Sequence, residues 1–163
     1  MARVLIVGCG CRGQVLAASL ADDGYAVRGT TRSPARVADI EAAGVEAVLA
    51  DPDRLGTLLP ALTGVSAVCW LMGSAGGTPE AVAALHGPRL RSMLEKVVDT
   101  PVRGVVYEAG GTLSPDLFAG GAAIARDAAL TYRMPVQVVD RQPADLPGWV
   151  AAMRAAVGAV LSD

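Results

Sequence analysis

Long apolar runs are scarce in this chain of 163 residues, and their scarcity excludes whole classes of protein. The first apolar run, residues 4–7, ends at a glycine. No later run reaches the roughly 18 consecutive apolar residues that a membrane-spanning helix needs. We therefore expect neither a signal peptide nor a membrane span, and we predict a cytoplasmic protein.

Clustered positive charge and paired cysteines are also lacking. The formal net charge is −2 at pH 7, and no Lys/Arg cluster supplies the basic face that a nucleic acid would require. The three cysteines are an odd number, and Cys9 and Cys11 lie inside a glycine-rich turn, so a disulfide framework is not expected. No further cysteine or histidine cluster completes four ligands around them, and we predict no metal site.

The chain does contain short apolar segments that alternate with alanine-rich segments of helical length. The strand-like segments are residues 4–7, 26–29, 45–49, 67–71, 105–107 and 136–139. The helical segments are residues 14–22, 34–43, 54–62, 79–98, 115–132 and 145–161. Continuous apolar strands separated by helices are typical of a parallel sheet covered on both faces. The sequence predicts an α/β fold: a doubly wound, Rossmann-type six-stranded parallel sheet in one domain over residues 1–163, with no separate substrate domain.

Helix boundaries carry recognisable signals. A hydroxyl residue followed by proline predicts helix starts at Ser33, Thr78 and Ser114. Because glycine is a poor helix former, Gly120 and Gly121 predict that the helix over residues 115–132 begins only after them. Glycines that should end helices before the next strand are Gly24, Gly44 and Gly64.

The first predicted strand runs directly into a G-x-G-x-x-G turn. Gly8 would allow the tight turn, Gly10 the close approach of a diphosphate, and Gly13 the packing of the next helix on the sheet. The diphosphate would then lie at the N-terminus of that helix, beside Cys11, with Arg12 adding a positive charge. The position after a strand and before a helix favours a dinucleotide site over ordinary turn glycines.

The end of the second strand predicts which dinucleotide is bound. An NAD(H) site usually has a carboxylate here to hold the ribose 2′-hydroxyl, and this chain has none. Arg32 instead offers a planar group suited to a 2′-phosphate, and Thr31, Ser33 and Arg36 add further donors. We predict that NADP(H) is preferred over NAD(H); the alternative is that Arg32 is a solvated loop residue.

Residues after later strands complete the predicted site. Asp51, after the third strand, could accept from the adenine amino group or could serve as a turn residue before Pro52. The backbone of Leu71, Met72 and Gly73, at the end of the fourth strand, is expected to lie under the ribose on the nicotinamide side.

Candidates for contact with a substrate come from the fifth strand and from a helix break. Tyr107 and Glu108 lie at the carboxyl end of the strand, where ligands bind in such folds. His86 precedes a Gly-Pro pair that should break or kink its helix. It is either a surface or capping residue or part of the site.

Residues 5–34, which read as a strand, G-x-G-x-x-G, a helix and a second strand ending in Thr-Thr-Arg-Ser-Pro, resemble the short-chain dehydrogenase/reductase superfamily in its atypical, NmrA-like branch. The rest of the chain agrees with that family only in its order of elements. The resemblance implies a phosphate-binding role for Gly8, Gly10 and Gly13 and a 2′-phosphate role for Arg32.

The catalytic apparatus of that family does not carry over. Its enzymes use a Tyr-x-x-x-Lys pair, in which the lysine lowers the tyrosine pKa, together with a serine or threonine after the fifth strand. The single lysine is Lys96, with Ser92 four residues before it. Thr112 is the aliphatic hydroxyl nearest to the family's serine position, and it is the fourth candidate for contact with a substrate. Two functions follow as alternatives: an atypical oxidoreductase acting on a small-molecule substrate, or a non-catalytic NADP(H) sensor or binding module.

The sixth strand would lie at a sheet edge, and we expect a homodimer.

Overall fold

A parallel sheet runs through the centre of the structure, a computed structural model that describes residues 1–162. Its strands are β1 (Arg3–Val7), β2 (Ala26–Thr31), β3 (Glu46–Leu49), β4 (Ala67–Trp70), β5 (Gly104–Glu108) and β6 (Val136–Val139). They follow the order β3-β2-β1-β4-β5-β6, and all neighbours are parallel. The predicted doubly wound, six-stranded parallel sheet is confirmed.

Helices cover both faces of this sheet. They are α1 (Cys11–Asp22), α2 (Pro34–Ala42), α3 (Pro79–Leu85), α4 (Pro88–Val97), α5 (Pro115–Tyr132) and α6 (Leu146–Leu161). Helices α1, α2 and α6 bury one apolar core around Trp149, and α3, α4 and α5 bury the other around Trp70 and Tyr107. The connection after β1 leads to α1 on one face of the sheet, and the connection after the neighbouring β4 leads to α3 on the other face. A crevice therefore opens at the carboxyl ends of β1 and β4.

Two of the predicted helices take a different form. Residues 54–62 form two short 3-10 turns, Leu55–Thr57 and Leu59–Leu62, rather than a helix. Gly56 and Pro60 account for this, since glycine is a poor helix former and proline provides no N–H for a continuous helix. The segment over residues 79–98 divides into α3 and α4 at the predicted Gly-Pro break.

The predicted late start of the fifth helix is wrong. Helix α5 begins at Pro115 and passes through both glycines, and the Ser114 hydroxyl accepts from the N–H of Asp116. Gly121 faces the sheet, where an added Cβ would clash with the hydroxyl of Tyr107. Close packing of helix and strand therefore outweighs the poor helix propensity of glycine at this position.

Candidate functional site

A cavity of about 620 Å³ opens at the carboxyl ends of β1, β2 and β4. All the predicted cofactor-binding residues except Asp51 and Gly73 line it, namely Gly8, Gly10, Cys11, Arg12, Gly13, Thr31, Arg32, Ser33, Arg36, Leu71 and Met72. The remaining lining residues are Cys9, Thr30, Ala50, Pro52, Ser74, Ala75 and Leu85. Its position matches the crevice in which open α/β sheets bind ligands.

The turn between β1 and α1 needs its first glycine for steric reasons. Gly8 has a φ of 87°, and an added Cβ would clash with the Met72 side chain. The N–H of Gly8 donates to the Thr30 hydroxyl at 3.1 Å, and the N–H of Cys9 donates to the Thr30 carbonyl at 2.9 Å. The turn is thus anchored to β2 before it reaches the helix.

Gly10 differs from Gly8 because nothing in the protein requires a glycine there. It is the N-cap of α1 with a φ of −87°, and an added Cβ would meet no atom within 4 Å. No side chain caps the helix, which leaves its first-turn N–H groups available to an anion at the positive end of the helix dipole. This open glycine above an uncapped helix N-terminus fits a diphosphate group.

Gly13 and Cys9 pack the same helix against the sheet. An added Cβ at Gly13 would lie 3.3 Å from the Cys9 sulfur, and one at Gly29 would lie 2.7 Å from it. Burial raises the pKa of the Cys9 thiol to about 11, so this thiol is protonated at neutral pH. Cys11, in contrast, is exposed at the cavity.

Two positively charged side chains line the cavity after the end of β2. Arg32 and Arg36 are exposed and form no ion pair with the described residues. Ser33 is the N-cap of α2, yet its hydroxyl makes no capping bond. The Thr31 hydroxyl accepts from the N–H of Ser33 at 3.1 Å, which shapes the turn into α2. No aspartate or glutamate is among the lining residues within the described part of the chain.

Two of the predicted residues lie outside the cavity lining. The Asp51 carboxylate accepts from the N–H of Asp53 at 2.9 Å, and its backbone N–H donates to the Thr57 hydroxyl at 2.8 Å. These two hydrogen bonds hold Asp51 in a turn, and its contact with the adenine amino group stays a prediction. Gly73 is buried, and its N–H donates to Glu108 Oε1 at 3.0 Å.

Tyr107 and His86 form a buried polar pair behind the cavity. His86 is only 3% exposed, which excludes the surface interpretation. Because a carbonyl oxygen can only accept, Nε2 of His86 donates to the Met72 carbonyl at 2.9 Å, and Nδ1 then accepts from the Tyr107 hydroxyl at 2.6 Å. Burial lowers the pKa of His86 and raises that of Tyr107. Neither residue lines the cavity, and the pair braces the segment that leaves β4.

Glu108 is fully buried and is paired with Arg12. Nη2 of Arg12 lies 2.7 Å from Oε1 and 2.9 Å from Oε2, while Nη1 donates to the Ser74 hydroxyl at 3.2 Å. The guanidinium also lies 5.4 Å from the ring centroid of Trp149. Burial raises the pKa of Glu108 and the Arg12 charge opposes that rise. The Arg12 charge expected to face a diphosphate is thus shared with a carboxylate of the protein.

Thr112, the remaining substrate-side candidate, is exposed and does not line the cavity. Its backbone N–H donates to the Gly73 carbonyl at 3.0 Å, which joins the segments after β4 and β5. None of the four substrate-side candidates therefore borders the cavity in the described part of the chain.

Sequence reasoning missed the Arg12–Glu108 pair and the contribution of Ser74. The charged partners are 96 residues apart in the chain, and no periodic pattern relates them. The available signal was that Arg12 follows β1 and Glu108 ends β5, since the carboxyl ends of parallel strands lie at one edge of the sheet.

Among residues 1–162, no group of histidine, cysteine, aspartate or glutamate side chains is arranged to hold a metal ion. Within that same range, every helix is too short or too polar to cross a membrane.

Comparison with known proteins agrees with this geometry. The sequence profile of an NAD(P)H-binding family matches residues 8–112, which include the glycine turn, Arg32 and the ends of β4 and β5. No curated protein matches the chain in sequence.

Solved structures with the same fold include enzymes that hold a nicotinamide dinucleotide. A short-chain dehydrogenase/reductase superfamily protein from Agrobacterium tumefaciens with bound NAD superimposes with a TM-score of 0.70 at 21% identity, over 85% of this chain and 48% of that one. UDP-glucuronic acid 4-epimerase from Bacillus cereus in complex with NAD gives 0.69 at 15% identity, over 86% and 56%. Vestitone reductase from alfalfa (Medicago sativa) gives 0.64 at 14% identity, over 86% and 56%.

The chain spans about half the length of these structures. At such low identity, the likeness shows the fold alone, which is a doubly wound Rossmann fold. The profile match covers most of the chain and coincides with the glycine turn and the cavity. The chain therefore belongs to the NAD(P)H-binding family of Rossmann-fold proteins.

Proposed function

We propose that the protein binds NADP(H) in preference to NAD(H) and serves as a binding or sensing module rather than a dehydrogenase. The observation that supports the preference is the charge around the cavity: three arginines and no carboxylate line it within residues 1–162. Arg32 and Arg36 are unpaired there, and the Ser33 hydroxyl beside them makes no capping bond. A 2′-phosphate would supply the negative charge that these groups lack.

Replacing Arg32 tests the preference directly. Arg32→Ala should weaken NADPH binding by about 1.5–3 kcal/mol, the worth of a hydrogen bond to a charged group, and should leave NADH binding nearly unchanged. Isothermal titration calorimetry with both nucleotides measures the difference. Arg126→Ala, an exposed arginine of α5 away from the cavity, is the matched control. Equal weakening of NADPH and NADH would refute the assignment.

The non-catalytic role is supported by the positions of the polar side chains at the carboxyl end of β5. Tyr107 is fully buried with its hydroxyl bonded to His86, and Glu108 is neutralised by Arg12. The single lysine, Lys96, is on α4. No Tyr-Lys pair is thus available at the cavity to transfer a proton in the manner of the superfamily's enzymes.

An oxidoreductase is the second candidate, because Arg12 and Ser74 place two hydrogen-bond donors at the cavity edge. Such donors could hold a small carbonyl substrate while the cofactor supplies the hydride. NADPH consumption across a panel of carbonyl compounds distinguishes the two roles. Tight NADPH binding without turnover of any compound would contradict the enzyme.

Assembly and compartment are proposed on separate grounds. Strand β6 pairs only with β5 among the described strands, so its outer edge is open to a second copy in a homodimer. Light scattering at two protein concentrations would detect that dimer.

The free thiols of Cys9, Cys11 and Cys69 are those expected of a reducing cytoplasm.

A further inference from the structure

The cavity occupies mainly one half of the crevice. In doubly wound folds, each half of the sheet holds one mononucleotide of the dinucleotide. Residues of the β1–β3 half line most of the cavity, whereas the segment after β4 contributes Leu71, Met72, Ser74 and Ala75, and α3 contributes Leu85. Among residues 1–162, none from β5 onward borders it. The space of this cavity therefore lies mainly beside the β1–β3 half, which would hold the adenosine, and within residues 1–162 it does not extend to β5 or β6.

The segments that follow β4, β5 and β6 fill that second half by packing on one another. An added Cβ on Gly73 would clash with the carbonyl of Gly110, and one on Gly111 would clash with the carbonyl of Gly73. The N–H of Thr112 donates to the Gly73 carbonyl at 3.0 Å. An added Cβ on Gly110 would lie 2.8 Å from the Arg141 carbonyl oxygen. These are contacts between backbone atoms, which a change of side-chain rotamer does not separate.

Arg12 closes the remaining gap between the glycine turn and β5. Its guanidinium donates to both carboxylate oxygens of buried Glu108 and to the Ser74 hydroxyl, and it lies 5.4 Å from the ring centroid of Trp149. Glu108 in turn accepts from the N–H of Gly73. Separating this pair would leave a carboxylate without a counter-ion in a fully buried position, which is strongly unfavourable.

We propose that the protein recognises the 2′-phospho-ADP-ribose part of NADP(H), and that the Arg12–Glu108 pair with Ser74 keeps the nicotinamide out of the crevice. This inference rests on the proposed function and deepens it. The nicotinamide would extend past Ser74 and Ala75 toward solvent, so oxidised and reduced cofactor bind equally. The module then responds to the total amount of the cofactor and not to its redox state.

Four nucleotides test the inference by calorimetry on the unmodified protein: NADPH, 2′-phospho-ADP-ribose, NADH and ADP-ribose. Removing nicotinamide should change the dissociation constant by less than about threefold within each pair, since only contacts in the bound state contribute to affinity. The emission of bound NADPH should match that of free NADPH. NADPH that binds about tenfold or more tightly than 2′-phospho-ADP-ribose, or with blue-shifted and enhanced emission, would overturn the inference.

The same data separate this inference from the proposed preference. The preference compares ligands with and without the 2′-phosphate, whereas the inference compares ligands with and without nicotinamide. The double variant Arg12→Leu/Glu108→Gln removes both charges while glutamine still accepts from Gly73. In this variant NADPH should bind about tenfold more tightly than 2′-phospho-ADP-ribose, because the nicotinamide ring could then be buried beside residue 12. An unchanged ratio in a folded double variant would contradict the assigned role of the pair.

Discussion

Single glycines in the turn after β1 have distinct physical tasks that their shared motif conceals. Gly8 has a positive φ and lies against Met72, so the protein's own structure requires it. Gly10 has an ordinary backbone conformation and open space around its missing Cβ. A glycine without a structural need, at the N-terminus of α1, is best explained by the close approach of a ligand.

Gly10→Ala should therefore weaken dinucleotide binding by about tenfold or more while leaving the fold intact, because the methyl group would stand where the diphosphate approaches. Gly8→Ala should behave differently and cost about 1–3 kcal/mol of stability through backbone strain and the Met72 clash. Thermal unfolding and nucleotide titration of both variants measure these effects. A destabilised Gly10→Ala protein with unchanged nucleotide affinity would contradict this division of tasks.

Two pairs of polar side chains connect the elements that form the cavity. The Arg12–Glu108 pair joins the first turn of α1 to the end of β5, and the His86–Tyr107 pair joins the α3–α4 break to the same strand. Both pairs also hold the segment after β4, through the Gly73 N–H and the Met72 carbonyl respectively.

Arg12→Leu should destabilise the protein by about 3 kcal/mol, the lower end expected for a broken buried ion pair, because the Arg12 side chain is 25% exposed. The double variant Arg12→Leu/Glu108→Gln should be more stable than Arg12→Leu, since the unpaired charge is gone. Urea unfolding of the wild type, of Arg12→Leu, of Glu108→Gln and of the double variant gives the coupling energy between the two side chains. Strictly additive losses would show that the two side chains do not interact.

His86 should make stability depend on pH. Its pKa is lowered in the folded protein from an ordinary value of 6.5, chiefly by burial, whereas the unfolded chain protonates normally. Its contribution is therefore complete above pH 6.5 and is lost as pH falls below it, with a slope of up to about 1.4 kcal/mol per pH unit. His86→Gln should lack this component in urea unfolding between pH 5 and 8. Glu108 titrates in both proteins and cancels in the comparison, so parallel curves would exclude His86 as the cause.

At the scale of the whole molecule, ligand binding and folding are linked. A ligand that binds only the folded state, at 100 times its dissociation constant, adds about 2.7 kcal/mol to the free energy of unfolding. For a domain of this size, NADPH should then raise the melting temperature by about 5–10 °C. Differential scanning fluorimetry should show a smaller rise with the same concentration of NADH. An equal rise with both nucleotides would argue against a contribution from the 2′-phosphate.

Local sequence was sufficient for the strands, most helices and the glycine turn. Their signals, apolar runs, Ser/Thr-Pro starts and helix-ending glycines, act over a few residues, and the predicted sheet followed from them. The prediction of a helix over residues 54–62 was wrong because Gly56 and Pro60 interrupt a segment that is only nine residues long. The prediction that α5 starts after its glycines was wrong because Gly121 packs closely against Tyr107. That contact is made by tertiary packing and is not visible in the local sequence.

The site divides in the same way. The sequence by itself determined the glycine turn, Arg32 and the missing carboxylate after β2, because these residues lie within one β-α-β unit. Only the tertiary structure decided that Arg12 is paired with Glu108 and that His86 and Tyr107 are buried together. These outcomes depend on side chains brought together across the sheet, where burial makes an unpaired charge or hydroxyl unfavourable and therefore selects their partners.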